Sequence, residues 1–431
     1  MPQPLYRLRL TRPGSKPLFI PTTPSSMNLT PGRFSPNIVA VLLGVACTLS
    51  AVAQNASPAA TPVARGLGAP AGRGGRGGGG AINSPEVNAA DHTFTVRFRA
   101  PNAQVVTVIG ELDGKEHPMT KADNGVWTAT IGPLVPDTYN YQLRVDGIIA
   151  MDPANPSVKL GFGAFPPANL VEIPGPETAF QDTRDVPHGS IRLETYHAKA
   201  LGGAARTLWI YTPPGYDGNA ERYPVFYLLH GSGNTDSSWF LTGRENTILD
   251  NLIADGKAKP MILVNPLGYA RTGIGTGADQ TVNAAGGGFW FEKEFLQDII
   301  PYVDGKFRTV ADADHRALGG LSMGGGHTIQ IGFPNTDTFH SLVIMSYGVN
   351  NADRTYPAFF ADPAETNKKL KFLWVGVGSD DTLVGASARA LDATLTAKGI
   401  NHAPFWVLPG ARHEWVVWRY ALRDVAPQLF R

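Results

Sequence analysis

The chain has 431 residues, 43% hydrophobic and 17% charged, which is enough apolar content for two or three domains with sizeable cores. A formal net charge of +1, with no long basic run beyond the N-terminal region, argues against nucleic acid as the main partner. A single cysteine excludes an intrachain disulfide and a cysteine-based metal cage.

Residues 1–53 read as an N-terminal extension and signal peptide. The apolar run from Asn37 to Ala53 ends in Ala51-Val52-Ala53-Gln54, an A-x-A cleavage site behind a hydrophobic region. The run is short for a span and no stop-transfer segment follows, so a secreted or periplasmic chain without a stable membrane anchor is expected. Starting at Met27 gives a signal of ordinary length, with Arg33 in its basic region. Residues 54–83, rich in Gly, Ala, Pro and Arg, cannot bury enough apolar area to offset their ordering entropy and read as a disordered linker.

Residues 84–176 carry short runs of period-two alternation: Thr93 to Phe98, Val105 to Ile109, Val126 to Ile131 and Tyr139 to Leu143. Turn signals at Asp123-Asn124-Gly125, Pro136-Asp137 and Asp146-Gly147 separate them, which predicts a small all-β sandwich. Trp127, Tyr139 and Tyr141 suit either stacking on sugars or filling the sandwich core. Phe162 and Phe165 lie in a Gly/Pro-rich loop leading to the next domain and are candidates to overhang its site. Phe98 to Ala103, Gly125-Val126-Trp127, and Val145-Asp146-Gly147 with Asp152 to Pro156 resemble the immunoglobulin-like modules related to family 48 carbohydrate-binding modules.

From residue 185 to 431 the pattern becomes α/β. Wholly apolar runs such as Val225 to Leu229, Met261 to Val264, Ala317 to Leu321, Leu342 to Met345 and Phe372 to Val377 alternate with helical stretches at Asn246 to Asp255, Glu292 to Phe307 and Gly385 to Lys398. Buried strands alternating with helices predict a doubly wound, mostly parallel sheet, whose ligands sit at the carboxyl ends of the strands. A bend or break is expected near Pro301 in the second helix.

Gly320-Leu321-Ser322-Met323-Gly324 fits G-x-S-x-G, a serine on a sharp strand-to-helix turn. The pattern demands an upstream oxyanion loop, then an acid and a histidine downstream in that order. His230-Gly231-Ser232-Gly233 follows a central strand and supplies the loop, with the amides of Ser232 and Met323 as expected donors. His230 itself reads as structural. Asp381 is the preferred acid, with Asp380 competing from the same strand end. Among the histidines, His413 alone occupies a loop directly after the last strand. His327 lies on the helix behind the serine, and His402, which precedes that strand, is the main rival.

Gly-Leu-Ser-Met-Gly-Gly at 320–325, Tyr-Leu-Leu-His-Gly at 227–231, Tyr-Thr-Pro-Pro-Gly-Tyr at 211–216, and Pro-Gly-Ala-Arg-His-Glu-Trp at 409–415 resemble the esterase D and antigen 85-type α/β-hydrolases. Within these, the chain most resembles the family 1 carbohydrate esterases. The resemblance implies a cofactor-free serine esterase with Ser322 as nucleophile, Asp381 as acid and His413 as base. It also implies an ester-decorated polysaccharide or oligosaccharide as substrate, with feruloyl ester as the first choice. Acetylxylan esterase, enterochelin-type esterase and acyltransferase are alternatives, and a non-catalytic glycan-binding protein is the remote one. Ala411-Arg412 departs from the glycine common before the histidine. Trp239, Phe240, Trp290 and Trp415 are candidates to clamp a planar acyl group or a sugar, with packing as the competing role. Gly273 to Gly277 reads as a loop flanking the pocket, not a phosphate loop, because no Lys-Ser/Thr follows.

Overall fold

Eight strands of the C-terminal region form one sheet in the order 190–198, 204–212, 262–266, 225–229, 316–321, 341–345, 372–378 and 406–408. The first two strands run antiparallel to their neighbours and the other six are parallel. The computed structural model describes residues 82–163, 165–270 and 290–431. The signal-peptide reading, nearly all of the linker, Phe289 and the Gly273 to Gly277 loop lie outside them.

The apolar runs become strands covered on both faces. Every residue of Val225–Leu229 is buried, and successive side chains serve opposite cores. Val225, Tyr227 and Leu229 join the cluster that includes Phe291, Phe295 and Ile329, while Phe226 and Leu228 join the one with Trp239, Trp415 and Leu422. Strand Arg316–Leu321 lies between Val225–Leu229 and Ser341–Met345, which brings its carboxyl end to mid-sheet. Helix Met323–Gly332 starts directly from that end.

One element differs from the sequence expectation. Ser190–Ala198 is an edge strand, half-exposed and studded with Arg192, Glu194 and Thr195, so it carries no apolar run to announce it. Near Pro301 the helix is continuous but irregular. It runs from Trp290–Glu294 through a π turn, Phe295–Ile299, into Ile300–Lys306. The missing Pro301 N–H is accommodated by the wider turn just ahead of it.

The N-terminal strands pack as two antiparallel sheets. One is ordered 86–88, 93–99, 126–131, 120–121; the other is 117–118, 106–110, 137–145, 168–173, 158–159, with 148–150 beside 137–145. Phe94, Val96, Trp127, Tyr141 and Leu143 fill the space between them. Trp127 is 6% exposed with its indole N–H on the Ala100 carbonyl, and Tyr141 is fully buried. Both therefore serve the sandwich core and have no face left for a sugar.

The described residues of the sandwich and the α/β region belong to one compact unit. Arg419, on helix Trp415–Val425, reaches Asp137 at 2.8 Å with both side chains about 1% exposed. The same guanidinium donates to the Thr242 and Thr138 carbonyls at 2.9 and 2.8 Å. A buried guanidinium needs such a full set of acceptors, and here they come from both modules.

Candidate active site

Ser322 has φ 51° and ψ −117°, a conformation that costs a non-glycine residue about 1–3 kcal/mol and holds its hydroxyl out of the turn. Its N–H is tied to the Met345 carbonyl at 2.9 Å. The flanking glycines are steric requirements. A Cβ on Gly320 would fall 2.7 Å from Leu229 Cβ, and one on Gly324 2.6 Å from the Leu229 carbonyl oxygen.

His413 Nε2 lies 2.8 Å from Ser322 Oγ, and His413 Nδ1 lies 2.7 Å from Asp381 Oδ2. Asp381 Oδ1 accepts the N–H groups of Leu383 and Val384 at 3.0 Å each, so both carboxylate oxygens are fixed. Burial alone would raise this carboxyl. The His413 contact and the two amides outweigh burial and hold it below its ordinary value. The ionised Asp381 therefore keeps the His413 proton on Nδ1 and leaves Nε2 free to accept from the serine. Asp380 is exposed and bonds the hydroxyl of its own neighbour, Ser379, at 2.7 Å. His402 is engaged with Asp392 at 3.1 Å and the Ile400 carbonyl at 2.8 Å.

The loop 230–234 packs against the serine: a Cβ on Gly231 would lie 3.2 Å from Ser322 Cβ. Among the described residues, neither the Ser232 nor the Met323 N–H donates to a backbone carbonyl, so both amides are available to a ligand. His230 is 2% exposed, and burial pushes its pKa down to about 4. Its Nε2 accepts the Gly268 N–H at 2.9 Å, which places its proton on Nδ1, toward the Gly231 carbonyl at 2.9 Å. His230 staples one loop to the next. His327, 4% exposed and pushed down to about 3 by burial, packs 5.0 Å from the Phe291 ring.

The aromatic candidates need correction. Trp239 is 0% and Trp415 2% exposed; they meet edge to face at 5.4 Å, and the Trp239 N–H is spent on the Leu229 carbonyl at 3.0 Å. Both are core side chains, because helices Ser238–Leu241 and Trp415–Val425 turn their aromatic faces into the sheet. Phe240 stacks on Trp209 at 5.7 Å and lines a groove with Leu170, Glu172 and Arg244 that contains no part of the serine–histidine–aspartate set. Trp290 is half-buried against the core, with Lys293 Nζ 4.9 Å from its ring centre.

Sequence reasoning also missed a buried anchor for the strand end after Ile262–Pro266. Arg206 bonds Glu294 at 2.7 Å and the Leu267 and Tyr269 carbonyls at 2.7 and 2.8 Å. Its partners are 61 to 88 residues away, and no local pattern marks them. A cavity of about 250 Å³ adjoins His413, walled by Gly110, Glu111 and Gly114 of the sandwich and Asp380, Leu383 and Arg412 of the α/β region. A larger one, about 660 Å³, lies around Phe180 and Arg423 and includes none of the three residues.

A serine at the tip of a mid-sheet strand, hydrogen-bonded to a histidine and through it to a buried aspartate, defines an α/β-hydrolase. The Esterase family model matches residues 199–429, and the chain belongs to that family of carboxylic ester hydrolases. A second model, carbohydrate-binding module 48 (isoamylase N-terminal domain), matches residues 82–154. The chain is 35% identical over 356 residues to an endo-1,4-beta-xylanase/feruloyl esterase of Xylanibacter ruminicola, an alignment that covers 80% of this chain and 46% of that one. It is 28% identical over 266 residues to endo-1,4-beta-xylanase Y of Acetivibrio thermocellus, covering 56% and 23%. The chain thus spans less than half the length of these curated relatives. Among solved structures, a mutant feruloyl esterase module from Clostridium thermocellum complexed with sinapinate superposes with a TM-score of 0.50 at 25% identity, covering 60% of this chain and 93% of that one. The enterobactin esterase FES of Shigella flexneri shares the fold, with a TM-score of 0.57 at 17% identity over 78% of this chain and 92% of that one.

Proposed function

We propose that the chain is an exported serine esterase that releases ferulate or a related hydroxycinnamate from plant cell-wall xylan through an acyl-enzyme. The observation that carries the chemistry is the relay from Ser322 through His413 to Asp381, at 2.8 and 2.7 Å. His413 Nε2 takes the Ser322 proton as Oγ attacks the ester carbonyl. The Ser232 and Met323 amides receive the oxyanion, each donor lowering the barrier by about 2.7–4 kcal/mol. As the carbonyl C–O bond breaks, His413 gives its proton to the departing sugar oxygen, which leaves as the alcohol, and water then repeats the cycle on the acyl-enzyme to release the acid. The polar-rimmed cavity beside His413 is where the leaving sugar is seated, since His413 must protonate it. No step draws on a metal or cofactor.

The acyl preference is supported by the feruloyl esterase named in the 35%-identical relative and by the sinapinate-bound module of the same fold. Export is supported by the apolar run ending Ala51-Val52-Ala53. The test is hydrolysis of methyl ferulate, an acetylated xylo-oligosaccharide and 4-nitrophenyl acetate by the mature chain and by Ser322→Ala. Ferulate release that vanishes in the variant is expected. Acetyl release alone would move the substrate to acetylated xylan, and activity surviving in Ser322→Ala would refute the mechanism.

A further inference from the structure

The sandwich loop that follows Val158–Lys159 leaves its own module and closes on the stretch that carries Ser232. Gly233, the next residue, is held on three sides. Its N–H donates to the Tyr269 hydroxyl at 2.7 Å, and its carbonyl accepts the Phe162 N–H at 3.2 Å. Its Cα faces the Phe165 ring so closely that a Cβ there would fall 2.4 Å from Phe165 Cγ. Phe162 lies flat on Tyr269, ring centres 4.2 Å and planes 15° apart. Tyr269 is itself anchored, being 6% exposed with its carbonyl on Arg206.

An oxyanion donor works only if it is aimed before the charge develops. Ser232 sits between Gly231 and Gly233, and Gly233 has φ +75°, so the intrinsic freedom of this backbone is high. Fixing both polar groups of Gly233 removes that freedom at the peptide next to the Ser232 amide. The modules are also joined away from this clamp, by the buried Arg419 and Asp137 pair. Phe165 remains 58% exposed while covering a glycine, an arrangement that core packing does not explain.

We propose that Phe162 and Tyr269 are positioning residues that aim the Ser232 amide at the oxyanion, so that the β-sandwich supplies part of the catalytic apparatus of the neighbouring domain. The proposal rests on Ser322 as nucleophile with the Ser232 amide as donor. It is tested in the mature full chain with Tyr269→Phe, Phe162→Ala and Phe162→Tyr, beside Ser322→Ala. Tyr269→Phe removes the hydroxyl that accepts from Gly233 and keeps the ring, Phe162→Ala removes the stack, and Phe162→Tyr keeps it. The readouts are kcat and KM on methyl ferulate, thermal midpoint, and inhibition by phenylboronic acid. That probe forms an Oγ–B bond as the Ser322 proton passes to His413, and its tetrahedral adduct places an oxygen in the oxyanion position.

Tyr269→Phe and Phe162→Ala are expected to lower kcat about ten- to hundredfold and to raise the boronate inhibition constant by a similar factor. KM should stay within about twofold, and Phe162→Tyr should restore wild-type values. A loss of kcat in Phe162→Ala with a collapsed thermal midpoint leaves the decision to the near-isosteric Tyr269→Phe. If kcat and boronate affinity are unchanged in Tyr269→Phe while Ser322→Ala is inactive, the positioning role is wrong and the esterase reading stands. A rise in KM alone also overturns it, because the loop would then touch substrate. Activity in Ser322→Ala would remove the reading beneath the proposal.

Discussion

Replacing Asp381 by asparagine isolates the part of the site that sets the proton on His413. The Leu383 and Val384 amides, both 3.0 Å from Asp381 Oδ1, require an acceptor at that position. Asparagine can satisfy them only with its carbonyl oxygen, so its NH₂ must take the Oδ2 place, 2.7 Å from His413 Nδ1. Two donors cannot share that contact. His413 must then accept at Nδ1 and carry its proton on Nε2, where it faces Ser322 Oγ at 2.8 Å as a donor and not as a base. The shape is kept and the tautomer is wrong, and the same change in a serine protease loses about 10⁴ in kcat. The same order is expected here, about 5.5 kcal/mol of barrier. The assay is kcat and kcat/KM on methyl ferulate at pH 7, with Asp380→Asn as the control that stays within about twofold of wild type. Asp381→Asn activity within tenfold of wild type, or a larger loss in Asp380→Asn, would refute the reasoning. Asp381 is held below its ordinary value, so its contribution is present at neutral pH and is lost only as pH falls through that lowered value. An acid limb of activity well above pH 4 would thus have another origin.

Trp239→Phe should leave KM on methyl ferulate within about twofold, and Trp239→Ala should cost about 3–5 kcal/mol in denaturant unfolding, because the ring is fully buried. A large KM effect without a stability loss would restore the substrate-contact reading. Arg419→Ala strands Asp137, a carboxylate 1% exposed, and should destabilise by about 3–5 kcal/mol by urea midpoint; a neutral effect would show the pair to be dispensable. Glu245 is fully buried, bonded to Asn265 at 3.0 Å, and burial pushes its carboxyl up to about 8 from 4.5. It is protonated when folded and ionised when unfolded between those values, so its contribution is full below about pH 4.5 and is lost as pH rises through 8, on the order of 5 kcal/mol. Glu245→Gln keeps an acceptor for Asn265 and should raise the thermal midpoint relative to wild type at pH 8 but not at pH 5; parallel pH profiles would contradict this.

The serine turn was legible because its requirements are local. Gly320 and Gly324 stand where a Cβ would meet backbone or side chain within 2.7 Å, and that leaves its mark within five residues. The parallel sheet was legible because strands covered on both faces must be apolar throughout, as Val225–Leu229 is. The order of acid and base narrowed Asp381 and His413 to strand ends, and the competing Asp380 was separated only by which carboxylate faces inward.

The sequence by itself determined the layers, the central strands and the side chains at their tips, since each is written in steric or apolar patterns within a few residues. Only the tertiary structure decided what surrounds those side chains. A tryptophan reads the same whether it clamps a ligand or fills a core, and the sheet placed Trp239 and Trp415 inside. Phe162 meets Tyr269 and Gly233 across more than seventy residues of chain, Arg419 meets Asp137 across 282, and the edge strand Ser190–Ala198 is held by pairing and not by burial. The Phe162 and Arg419 contacts depend on how two modules dock, and docking leaves no periodicity in either module's sequence.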